Sequence, residues 1–201
     1  MASEIVPIFS IGIYKNIVRA PTAKEFDCIN SYKLSSQNSG NTMSEDRYVL
    51  NNPDLKDLAT LFLENIKNYA VDVMGIDNEM YITTSWINTT NLNQQHNIHN
   101  HPNSILSGSY YIDVEDSQPS ISFNRMSPPF VFNMFPNKFN VFNSTQWTIP
   151  VKNNMLVIFP SSCYHYVNIN TNLKPRISIA FDTFIKGSIG RNLSGVDLNL
   201  N

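Results

Sequence analysis

Three of the chain's four histidines, His96, His99 and His101, fall within six residues at the head of "HNIHNHPNSILSGSYYIDV" (96–114), and the fourth is His165 in "FPSSCYHYV". Neutral imidazole is a good ligand for iron, copper, nickel or zinc. Side chains alternate along an extended segment, so His99 and His101 project to one side and can share one ion, with His96 less favourably placed. A third ligand from a distant strand would complete one face of the metal and leave the rest for substrate or oxygen. His165 is the remaining histidine that could supply it. Taken singly, each of these residues also reads as an ordinary surface or hydrogen-bonded histidine at a strand end.

Eleven residues after His165 comes "KPRISIAF". In a strand Arg176 and Ser178 share one face, and Ile177, Ile179 and Phe181 share the other. A guanidinium facing a pocket must meet an anion, because burying it unpaired is costly. A carboxylate meets it best through a two-point fork, and a serine hydroxyl can add a third hydrogen bond. An internal Arg–Asp pair is the plainer alternative.

The elements that must carry these residues are mostly strands. "MYITTSWIN", "ILSGSYYIDV", "SISFNR", "QWTIPV", "MLVIFP", "CYHYVNI" and "PRISIAFDTF" are short, rich in β-branched and aromatic residues, and separated by Pro, Asn and Ser. Ahead of them "NNPDLKDLATLFLENIKNYAVDVMG" predicts one helix, with Asn52 as cap, Pro53 in the first helical position and Asp54 where the helix dipole favours an acid. Leu55, Leu58, Phe62, Ile66, Tyr69 and Val73 make its apolar face, and Gly75 ends it. Residues 4–18 alternate loosely enough for an outer strand, and 34–48 read as a polar surface loop that could act as a lid. Several short strands after one helix imply a mainly β protein, a sandwich or barrel of jelly-roll type with the helix buttressing one sheet.

With 201 residues the chain suits one domain: a strand, loop and helix over 1–78, a jelly-roll core over about 79–185, and a polar tail over 186–201. Lys plus Arg (14) nearly balance Asp plus Glu (16), for a net charge of −2, which argues against a general nucleic-acid binder. No apolar run approaches a membrane span, and the N-terminus does not read as a signal peptide. Cys28 and Cys163 fit a pair of free thiols, so a cytoplasmic location is expected.

In order along the chain, His-x-His, "SGSYYI", "IPVKNNMLVIFPSSCYHYV" and "RISIAF" resemble the iron(II)- and 2-oxoglutarate-dependent oxygenases. The pattern H-x-H-P-x-S-x-x-S-G-x-Y-Y is similar to an oxygenase group of marine bacteria and their phages. The likeness runs from "SWIN" at 85–88 to about Phe181. It implies a double-stranded β-helix, a cupin-like jelly-roll barrel with iron(II) at its mouth and 2-oxoglutarate as cosubstrate. His99 and His165 match the two metal-binding histidines. Arg176 and Ser178 match the Arg-x-Ser that holds the far carboxylate of 2-oxoglutarate, and Tyr111 matches a strand tyrosine that reaches the same cosubstrate. Hydroxylation of a substrate C–H bond, with release of succinate and carbon dioxide, is the activity implied.

One departure matters. Where the family usually has aspartate, this chain has His101, so a three-histidine site of His99, His101 and His165 is expected. A neutral ligand in place of an anionic one leaves extra positive charge at the metal. Asp113 is the alternative carboxylate. Arg125 could hold a substrate anion or simply sit in a turn, and Cys163 could offer a thiolate or pack as a small buried side chain. Asn88 and Trp86 could line the pocket, Trp86 more as core. The aromatic stretch 128–142 could face substrate, form a dimer contact or pack internally. The substrate, a small molecule or a peptide, is not legible. Two rivals share the scaffold: a cupin-like three-histidine metal enzyme without 2-oxoglutarate, and a catalytically silent binding module.

Overall fold

The computed structural model describes residues 4–35, 38–115, 118–127, 132, 135–190 and 198–200. The β-branched and aromatic runs form two main antiparallel sheets. The larger contains β1 (Tyr14–Ile17), β2 (Leu34–Ser35), β3 (Thr42–Ser44), β4 (Met80–Thr90), β6 (Leu106–Asp113), β9 (Met155–Pro160) and β11 (Arg176–Ile185), in the order β1-β9-β6-β11-β4-β3-β2. The smaller is β5 (His96–His99), β10 (Tyr164–Val167), β7 (Ile121–Asn124) and β8 (Gln146–Ile149), in the order β5-β10-β7-β8. Most neighbours in the sheets are not consecutive in the chain, which is the jelly-roll pattern expected from the strand-rich C-terminal part. Among the described residues no helix is long and apolar enough to cross a membrane.

Strand β11 explains how one segment serves both core and site. It lies between β4 and β6, with Ser178 opposite Asn88 and Tyr111, and Ala180 opposite Trp86 and Ser109. Its odd-numbered residues Ile179 and Phe181 are fully buried in the main hydrophobic core with Leu58, Phe62, Ile66, Tyr110 and Ile158. Phe181 stacks on Phe62 at 5.4 Å between ring centroids. A Cβ on Gly108 would lie 2.2 Å from the tip of the Phe181 ring, so the "SGSYY" glycine is required by this close approach. Arg176, Ser178 and Ala180 face the other way, into the cavity between the sheets.

The helix region differs from expectation in three ways. Asn52 does cap, its side chain accepting from Asp54 N at 3.0 Å, but Pro53–Leu55 form a 3-10 turn before helix α2 (Lys56–Asn68). A π-type turn over Tyr69–Val73 follows, and the wider turn carries Val73 off the apolar face, leaving it 58% exposed. Gly75, at φ 64°, stops the chain as predicted. There is also an earlier helix, α1 (Ala23–Ser31), which the periodicity did not predict. Its start is a capping box: Glu25 N donates to Thr22 Oγ1, and Thr22 N donates back to Glu25 Oε2.

The stretch 34–48 is not wholly loop, because β2 and β3 extend the large sheet beyond β4; residues 36 and 37 lie outside the described residues. Residues 4–18 supply the outer strand only over β1. The tail 186–201 contains a short pair, β12 (Gly187–Ile189) with β13 (Leu198–Leu200).

Candidate metal centre

The smaller sheet brings the histidines together. Strand β10 pairs antiparallel with β5 so that His165 stands directly opposite His99, and His101 follows just beyond the end of β5. Its backbone N–H is held by the Ser161 carbonyl at 3.0 Å. One ligand atom from each of His99, His101 and His165 lies within 4.8 Å of the others.

Each ring is fixed by its other nitrogen. His99 Nδ1 lies 2.7 Å from the Asn97 carbonyl and His165 Nδ1 lies 3.0 Å from the Cys163 carbonyl. His101 Nδ1 lies 2.8 Å from Asp182 Oδ1. These oxygens can only accept, so each Nδ1 carries a proton, which leaves Nε2 as the nitrogen able to ligate a metal when the ring is neutral. His101 Nε2 and His165 Nε2 are 3.3 Å apart. With metal–nitrogen bonds of about 2.1 Å, two ligands on one ion stand roughly 3.0–3.4 Å apart, so a cation between them relieves the facing lone pairs. Burial, reinforced by His99, pushes the His165 pKa down to about 2, and burial also lowers that of His99. Both are therefore neutral, as metal binding requires.

Behind the three histidines the packing is aromatic. Trp86 stacks on His101 at 5.8 Å, and Phe159 meets His165 edge-on at 4.7 Å. Trp86 is thus both buried core and cavity wall. Its indole N–H donates to Asn88 Oδ1 at 3.2 Å, and Asn38 Nδ2 donates to the same oxygen at 3.0 Å. Asn41, bonded in turn to Asn38, also reaches the cavity. The 38–41 segment is bonded along β5, with Gln95 N donating to Gly40 O and Asn97 N to Ser39 O. Part of the expected surface loop is therefore a fixed wall of the site.

The far part of the cavity is built to receive an anion. Arg176 is only 4% exposed, and among the described residues its Nε has no hydrogen-bond partner. Among the described residues no carboxylate pairs with it. Its guanidinium lies over the Tyr111 ring, 4.9 Å from the centroid, and the fully buried Tyr111 hydroxyl also lacks a partner among the described residues. Ser178 lines the same cavity. Orphaned buried donors of this kind are expensive, and a carboxylate would satisfy them.

Other candidate residues are placed elsewhere. Asp113 faces outward to Lys174 Nζ at 2.7 Å, so it neither joins the histidines nor pairs with Arg176. Arg125 is exposed and its Nη atoms donate to the Val141 and Phe142 carbonyls, which makes it a loop clamp. The Cys163 thiol is buried in the smaller core; only its carbonyl serves the site, through His165. His96 lines the cavity but is not one of the three converging ligands. Of the stretch 128–142, residues 128–131, 133 and 134 lie outside the described residues, and Phe135, Phe139 and Phe142 are exposed.

Asp182 was not anticipated from the sequence. Its Oδ1 takes Ser107 Oγ at 2.6 Å besides His101, and its Oδ2 takes Thr84 Oγ1 at 3.3 Å. The signal was present: the alternation that puts Arg176 and Ser178 on one face of β11 continues through Ala180 to Asp182.

Comparison with known proteins agrees with this architecture. Residues 84–182 match the model of a family described as "Putative 2OG-Fe(II) oxygenase". No curated protein matches the sequence. Among solved structures, the chain is similar to the non-heme alpha ketoglutarate dependent epimerase SnoN from nogalamycin biosynthesis, at TM-score 0.65 and 12% identity over 88% of this chain and 80% of that one. HygX from Streptomyces hygroscopicus, solved with nickel, 2-oxoglutarate and hygromycin B, gives TM-score 0.62 and 9% identity over 86% and 82%. A Pseudomonas putida prolyl-4-hydroxylase gives TM-score 0.56 and 10% identity over 89% and 95%. At such identities these likenesses show the fold alone, a double-stranded β-helix shared with these structures.

Proposed function

We propose that this chain is a non-haem iron(II)- and 2-oxoglutarate-dependent dioxygenase that hydroxylates a small-molecule or peptide substrate. The observation that carries the reading is a single cavity with two complementary ends. At one, three imidazole nitrogens converge with their lone pairs free; at the other, Arg176 and Tyr111 present buried polar atoms without partners. His99, His101 and His165 would hold the iron, and Arg176, Ser178 and Tyr111 the far carboxylate of 2-oxoglutarate. Bound iron with 2-oxoglutarate supplies oxidative decarboxylation to succinate and carbon dioxide, coupled to C–H hydroxylation.

The chain's own residues do the positioning. The three Nδ1 hydrogen bonds lock ring orientation, which reduces the cost of ordering the ligands when metal binds. Trp86 and Phe159 cover the ligand rings and keep water from them. Arg176, stacked on Tyr111 and held on a central strand, fixes where a carboxylate can lie and so the direction in which its other end points. Asn88 and Asn41 offer amides on the remaining wall, suited to orienting a polar substrate.

The test is aerobic incubation with iron(II) and 2-oxoglutarate, with succinate measured against a control lacking metal. Metal-dependent succinate release, lost in Arg176→Ala, is expected. If the metal binds but 2-oxoglutarate neither binds nor is consumed, the site belongs to a cupin-like enzyme in which Arg176 meets the substrate itself. If neither binds, the barrel is a silent scaffold.

A further inference from the structure

We propose that Asp182 delivers to the metal, through His101, the negative charge that a carboxylate ligand would otherwise supply directly. The inference rests on the reading of the three histidines as an iron site.

Three neutral imidazoles leave the full dipositive charge of the ion uncompensated by the protein, inside a cavity that also holds the Arg176 guanidinium. Asp182 is the carboxylate placed to offset it. Its side chain is 17% exposed, and among the described residues no lysine or arginine pairs with it. It receives hydrogen bonds from Ser107 on β6 and Thr84 on β4, and its one ionisable partner is His101, at 2.8 Å from Oδ1 to Nδ1. His101 therefore has a carboxylate on one nitrogen and the converging ligands on the other. Such a partner draws the Nδ1 proton toward itself and makes Nε2 a stronger donor.

Strand β11 also carries opposite charges towards the two ends of the cavity, Arg176 in its lining and Asp182 behind His101. Arg176 and Asp182 stand on the same face six residues apart, roughly 20 Å in an extended strand. The cationic end favours the carboxylate of a cosubstrate and the anionic end favours the metal. The two ends cannot exchange roles, so the strand fixes which way round a metal-chelating dicarboxylate lies.

The experiment compares the parent with Asp182→Asn, which keeps the size and the acceptor oxygen but removes the charge. Iron(II) affinity is measured anaerobically by competition with a chromophoric chelator, and the iron(III)/iron(II) midpoint potential by mediated titration. Asp182→Asn should weaken iron(II) binding about 10–100-fold. Its potential should rise, by about 59 mV for each tenfold by which iron(III) loses more affinity than iron(II). Ser107→Ala leaves the charge in place but removes a hydrogen bond that stabilises it, so its potential should fall. These opposite signs separate charge donation from ring positioning. If Asp182→Asn weakens binding but leaves the potential at the parental value, Asp182 only orients His101 and the proposal is overturned; unchanged affinity and potential overturn it equally. Should Asp182→Asn fail to fold, Ser107→Ala and Thr84→Val carry the test, and a potential unmoved in both overturns it. A parent that binds no iron(II) removes the proposed function itself, an outcome distinct from any of these.

Discussion

Tyr111 and Arg176 make the sharpest demand on whatever ligand enters the cavity. The Tyr111 hydroxyl is buried with no partner among the described residues, a cost to the ligand-free fold of about 1 kcal/mol or more. Tyr111→Phe should therefore raise the melting temperature of the ligand-free protein while weakening 2-oxoglutarate binding several-fold; thermal unfolding and calorimetric titration measure the two effects. A merely structural tyrosine would not give opposite signs. At this scale much was legible in the sequence. Histidines are few, their chemistry is narrow, and strand alternation orients Arg176 and Ser178 toward one side. What was not legible came from elements distant in the chain. Asn41 reaches the cavity because the 38–41 segment bonds along β5, and the Lys174 partner of Asp113 comes from another part of the fold. Asp182 is a different case: the same alternation predicts it, two residues past Ala180 on the face that carries Arg176 and Ser178.

The elements that position the site are held by local devices of unequal visibility. Helix α2 was readable from its apolar spacing because it is long and packs Leu58, Phe62 and Ile66 against the sheet. Helix α1 was not, since nine residues with only Ile29 as a buried apolar side chain give no period to read. Its signature is instead the Thr22–Glu25 capping box, braced by Arg19, whose Nη2 lies 2.7 Å from Glu25 Oε1. The Arg19 hydrogen bond holds the Glu25 pKa below its ordinary value of 4.5, burial opposing. Because the folded pKa is the lower one, the unfolded chain binds more protons in acid. The pair's contribution is thus complete above about pH 4.5 and is lost as pH falls through the folded value. Glu25→Gln should cost roughly 1–2 kcal/mol at pH 7, a figure kept small because Arg19 is partly exposed. It should also flatten the loss of stability between pH 5 and pH 3; urea unfolding at several pH values measures both.

Two main antiparallel sheets, with helix α2 closing the outer face of the larger one, frame the molecule, and the site lies between them. Strand-rich composition after one strong helix pointed to this class of fold. The pairing order did not follow from composition, because neighbours such as β5 and β10 or β4 and β11 are far apart in sequence. His99 and His165 stand on neighbouring strands of the smaller sheet, and His101 reaches the larger one through Asp182 of β11, so an ion held by the three should brace the smaller sheet and its contact with the larger. Metal at 100 times its dissociation constant adds about 2.7 kcal/mol to stability, or roughly 5–10 °C in melting temperature for a protein of this size. Thermal unfolding with iron(II) under anaerobic conditions, then with excess chelator, should show this shift and its reversal. The central claim, that one cavity holds both the ion and 2-oxoglutarate, is tested most directly by anaerobic titration with iron(II) and then 2-oxoglutarate, following the weak visible metal-to-ligand charge-transfer band. The account predicts a band in the parent that is lost or weakened in His101→Ala and in Arg176→Ala. A parent that binds iron(II) but develops no band, or a band that survives both substitutions undiminished, would contradict it.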